Sequence, residues 1–159
     1  VKRLVIAACL AGCALGASAG DDAAELGAGE TVTAHAAPPP GYAFDRPELL
    51  ADQYLWGIAH GARLLAQACA DAGHAGAHAA WQAWNERETP EIAACAQRLG
   101  RHYYQRDDVA AAELVAALRL KPALDIAPER LEPACATLPA ALARPRYDLA
   151  RRREEMLKK

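Results

Sequence analysis

Valine, isoleucine and threonine are scarce beyond Tyr42, and the whole chain holds one phenylalanine and one methionine. So few β-branched and aromatic residues exclude a domain built on sheet, and alanine, about a quarter of the residues, points to helices throughout. An apolar fraction of 53% overstates the core, because alanine buries little area; leucines, tyrosines and three tryptophans must supply most of it. The sequence also lacks a glycine-rich phosphate loop after a strand, a Ser-His-Asp order around a nucleophile turn, a metalloprotease motif and a Cys-x-x-Cys pair. No catalytic activity and no cofactor are therefore expected. A net charge of −2 without a basic cluster on the body makes nucleic acid an unexpected partner.

What is present begins with an address. Lys2 and Arg3 precede a short apolar run, Leu4 to Leu10, far below bilayer-spanning length. The run closes on Leu10-Ala11-Gly12-Cys13, which resembles the lipobox of a bacterial lipoprotein precursor. The resemblance implies a signal peptide over residues 1–12 and a mature chain that starts at Cys13, lipidated on its thiol. Ala14, rather than aspartate, is compatible with export to the outer membrane. A competing cleavage after Ala17-Ser18-Ala19 would release a soluble periplasmic protein instead.

Residues 13–44 are rich in alanine, glycine and proline with no apolar period, and Pro38-Pro39-Pro40-Gly41 ends them; they read as a disordered tether. The expected fold is all-α, a small bundle of four to five helices stapled by a disulfide, over residues 45–143. Asp45-Arg46-Pro47-Glu48 has the pattern of a capped helix start. A first helix over about 46–72 carries a stripe of Leu50, Tyr54, Ile58, Leu65 and Cys69. Gly73 offers a stop, a second helix covers 74–88, and Thr89-Pro90-Glu91 starts a third over 90–105 with Ile92, Cys95, Leu99 and Tyr103 on one side. A fourth segment capped by Asp107 or Asp108 turns Leu114, Val115 and Leu118 to one side. Pro133 and Pro139 predict a kinked or divided helix over 128–143. Residues 144–159 carry seven basic and three acidic groups and read as a solvated basic helix or tail, with contact to anionic headgroups as the alternative.

Outside the leader and lipobox three cysteines remain, Cys69, Cys95 and Cys135. An oxidising periplasm favours one disulfide, and three pairings are open. No histidine within the helical turns around Cys95 supports a reactive thiol there. His74 and His78 lie four apart and share a helix face, so they are the candidate metal ligands, but two ligands do not make a site.

Gly61-Ala62, Leu65 and Cys69, followed by Pro128-Glu129-Arg130-Leu131-Glu132-Pro133-Ala134-Cys135 and Leu138, resemble the layout of type II secretion pilotins. Those are small outer-membrane lipoproteins of four helices. The resemblance implies a disulfide between Cys69 and Cys135, joining the first helix to the last, with Cys95 left free. It implies a membrane-anchored binding or assembly factor that takes the C-terminal segment of a secretin subunit, or another envelope protein, into an apolar groove. Tyr54, Leu55, Trp81 and Trp84 are the groove candidates, as apolar side chains beyond the needs of one stripe. The alternative function is a periplasmic helical protein that binds metal or an unknown partner.

Overall fold

A computed structural model describes residues 41–158. The leader over 1–12, the lipidation candidate Cys13 and the tether as far as residue 40 lie outside the described residues. The described residues form five α-helices, α1 (Pro47–Asp71), α2 (Ala75–Tyr104), α3 (Ala111–Ala117), α4 (Pro128–Leu142) and α5 (Leu149–Leu157), with a 3-10 turn over Pro145–Tyr147 and no strand. Among them no helix is long and apolar enough to cross a membrane. The all-α, disulfide-stapled bundle expected from composition is the fold observed.

Residues 41–44, expected in the tether, are tied into the domain. Gly41 N–H donates to the Ala117 carbonyl, and the Gly41 carbonyl accepts from both Gln53 Nε2 (3.0 Å) and the Tyr103 hydroxyl (2.5 Å). Gln53 Oε1 in turn accepts from Ala43 N–H at 2.8 Å. The fully buried Gln53 of α1 therefore seams residues 41–43 to α1 and α2, and Gly41 itself ties them to α3. Arg46, not Asp45, is the residue at the start of α1, and no side chain caps it.

The two helices anticipated over 74–88 and 90–105 are one. α2 runs through Pro90 because its buried stripe, Ala77, Trp84, Glu88, Cys95, Leu99 and Tyr103, does not shift there. An interior proline costs about 3 kcal/mol, whereas burying Trp84 alone is worth up to roughly 4–6 kcal/mol by area. Pro90 is exposed, so it takes nothing from the buried face; beside it, the Thr89 hydroxyl donates to the Asn85 carbonyl at 2.6 Å. α4 likewise continues through Pro133 and Pro139, both exposed, and the Thr137 hydroxyl donates to the Pro133 carbonyl at 2.9 Å. The division expected there is absent. α3 begins after Ala110 instead of an aspartate, and the Glu113 carboxylate accepts from Ala110 N–H at 3.0 Å.

Burial divides into two apolar clusters. Leu55, Cys69, Trp84, Cys135, Leu138 and Leu149 belong to the cluster among α1, α2, α4 and α5. Leu49, Leu99, Tyr103, Leu114 and Leu118 belong to the cluster where α3 closes on the start of α1 and the end of α2. The side of α1 that faces the core is Leu55, Ala62, Ala66 and Cys69; Tyr54 points away, and Leu50, Ile58 and Leu65 are half-buried, so the expected stripe is displaced. Alanine makes this possible, since it lets the helices approach closely at Ala62 and Ala66.

Candidate functional site

Between the two clusters lies a polar layer made by residues far apart in sequence. Asp52, 2% exposed, sits on α1 between Leu49 and Leu55. Arg98 of α2 grips it with two bonds, Nε to Oδ2 at 2.8 Å and Nη2 to Oδ1 at 2.9 Å, the paired geometry in which guanidinium binds carboxylate most strongly. Arg153 of α5 adds a third bond, Nε to Oδ1 at 3.0 Å, and Glu91 accepts from Arg98 Nη2 at 2.9 Å. The Cys95 thiol lies 3.6 Å from both Asp52 and Glu91. Burial, then the nearby Asp52 carboxylate, pushes this thiol from 9.0 up to about 12, so it is a neutral SH group at any physiological pH. Asp52, Glu91 and Cys95 have ligand atoms within 4.8 Å of one another, the one such grouping among the described residues. Two guanidinium groups already neutralise its two carboxylates, which argues against a cation there.

The residues singled out in the sequence are dispersed. Cys69 and Cys135 are bonded, with Cα atoms 5.6 Å apart, and Cys95 is free and buried. Leu55 (0% exposed) and Trp84 (1%) are core residues, which corrects their assignment to a partner groove: each completes the interior of α1 or α2. Trp84 also donates its indole N–H to the Tyr147 carbonyl at 2.8 Å. Trp81 is half-buried against the same core and lies 5.6 Å, ring to ring, from His78. His74 approaches Glu132 at 3.8 Å; among the described residues no third ligand joins His74 and His78.

Tyr54 alone of the groove candidates is on the surface, 41% exposed, with the Arg152 guanidinium 5.6 Å above its ring. Two further exposed aromatics, Tyr42 and Phe44, precede α1. Tyr42 lies over Gly57, one turn along α1 from Tyr54, where an added Cβ would meet its hydroxyl at 3.7 Å. Phe44, 80% exposed, lies 6.2 Å from Tyr42.

On the other side of α1 is a cleft closed by α3. Its larger part holds about 470 Å³, walled by Ala112, Val115, Ala116, Leu120 and Pro122, with His60 and Arg63 at the α1 edge. A smaller part of about 100 Å³ reaches Trp56, Asn85 and Ile92, and shares His60, Arg63 and Ala111 with the first. His60 Nε2 donates to the Lys121 carbonyl at 2.8 Å, which fixes the ring.

Against known proteins, the chain matches no family model, no curated protein and no solved structure.

Sequence reasoning missed the polar layer, the cleft and the role of the tail. Nothing in the sequence singles out Asp52 or Arg98, and Arg153 falls in the segment read as a solvated basic helix or tail. The basic residues after Pro145 are not a free tail: Trp84 holds Tyr147, Glu88 accepts from Leu149 N–H at 3.0 Å, and Asp52 holds Arg153. The glutamate at position 88 is itself buried and faces the N-terminus of α5, where a carboxylate offsets unpaired N–H groups. One signal was available for the tail, since Asp148 opens α5 by accepting from Arg151 N–H at 3.0 Å, an ordinary aspartate cap.

Proposed function

We propose that this chain is a bacterial envelope lipoprotein, anchored in the outer membrane through Cys13 and facing the periplasm, whose helical domain is a non-catalytic binding and assembly factor. In this reading it acts as pilotins do, holding the C-terminal segment of a secretin subunit. The observation that carries the reading is the Cys69–Cys135 disulfide between the end of α1 and α4. A bond of this kind persists in an oxidising compartment, which agrees with the lipobox-like Leu10-Ala11-Gly12-Cys13, and it is the Cys69–Cys135 pairing that the pilotin resemblance implies, although here a further helix, α5, follows α4. The aromatic face of Tyr42, Phe44 and Tyr54 is the surface on which a partner helix would dock, because exposed aromatics supply contact area at low entropic cost. It lies at the tether end of the domain, which begins at Gly41.

The test is the distribution of detergent-resistant secretin multimers between inner and outer membranes of the native bacterium. Cys13→Ala is expected to strand them at the inner membrane. Phe44→Asp with Tyr54→Asp is expected to do the same while the protein itself stays anchored. Multimers that reach the outer membrane normally in both strains would contradict the proposal.

A further inference from the structure

The cleft between α1, α2 and α3 is separate from the aromatic face. Arg63 is nine residues beyond Tyr54, half a turn away around α1, so the two surfaces look in opposite directions. At about 470 Å³ the larger part has the size of a small-molecule site. It is short as well, since α3 has seven residues and is only about 10 Å long, too little to cradle a helix of several turns.

The charge around this apolar space has one sign. Arg63 is exposed and has no carboxylate partner among the described residues; its polar neighbour is His60 Nδ1, 3.5 Å from Nη2. Trp56 lines the smaller part only, and its indole N–H, which has no acceptor, is closed off from solvent and so is not presented to the cleft. No aspartate or glutamate lines either part. The larger part thus offers a cation without a carboxylate partner at one side and aliphatic wall at the other.

We propose that this cleft binds a single-chain alkanoate, a fatty acid with its carboxylate at Arg63 and its alkyl chain along Val115, Leu120 and Pro122. Charge complementarity selects the head group, because a carboxylate can take two N–H bonds from one guanidinium. The apolar wall selects the chain.

Isothermal titration of the full chain with decanoate, below its micellar concentration, tests the proposal, with decanol as the neutral counterpart. One-to-one decanoate binding is expected, tighter than decanol. Arg63→Gln should weaken decanoate about tenfold and leave decanol unaltered. Ala112→Trp, a change at an exposed position that fills the cleft, should abolish both while the circular dichroism spectrum stays helical. Absence of decanoate binding, equal affinity for the two ligands, an unchanged affinity in Arg63→Gln, or binding that survives Ala112→Trp would each overturn it.

Discussion

Asp52 is an acid inside a bundle, and two arginines from helices 46 and 101 residues further on come to it. Removing its charge leaves Arg98 and Arg153 without their main acceptor in a half-buried layer. Both arginines keep some access to water, which lowers the cost below that of a fully enclosed pair. Asp52→Asn is therefore expected to destabilise the domain by about 2–3 kcal/mol, read as a lower urea midpoint at unchanged slope. The Cys95 thiol gives a second prediction. Its proton is held in the fold up to about 12 by burial and by Asp52, while the unfolded chain releases it near 9.0. Between those values the unfolded state binds fewer protons than the folded one, so stability falls as pH rises. Cys95→Ala should flatten that decline, which urea denaturation series at pH 8 and pH 10.5 would measure. Of this layer only Cys95 was legible in the sequence, as a free thiol on the inward side of its helix: a buried carboxylate looks like any solvated one until its partners are known, and these partners are separated by whole helices.

At the level of elements, the helices were largely readable and their junctions were not. Alanine content, the apolar spacing of Cys95, Leu99 and Tyr103, and Pro47 in the first turn of α1 all act within a few residues, and each is reflected in the structure. Pro90 misled because its cost is local while the benefit of continuing, the burial of Trp84 and Cys95 on one face, comes from α1 and α5. The end of α2 shows a different device. Gln105 adopts φ 57°, its N–H returns to the Gly100 carbonyl, and the chain then folds back over the helix. A Cβ at Gly100 would lie 2.5 Å from the Arg106 carbonyl oxygen and 2.7 Å from Val109 Cγ2. Backbone cannot yield as a flexible side chain does. Gly100→Ala is expected to cost about 1–3 kcal/mol, measured by thermal unfolding, although alanine is the better helix former at an ordinary position.

For the whole molecule, closure comes from three ties on its C-terminal segment and one disulfide. The Cys69–Cys135 bond spans 66 residues, which the chain-entropy treatment values at about 4 kcal/mol. Trp84, Glu88 and Asp52 then hold Tyr147, Leu149 and Arg153 in turn, so residues 144–158 belong to the domain instead of trailing from it. A domain locked in this way would serve as the rigid platform that the proposed lipoprotein reading calls for. The claim on which that account rests is the anchor at Cys13, and the intact mass of the protein extracted from native membranes tests it most directly. The account predicts a mature chain beginning at Cys13 and carrying acyl groups, a species that disappears in Cys13→Ala. An unmodified mass beginning at Gly20 would contradict it.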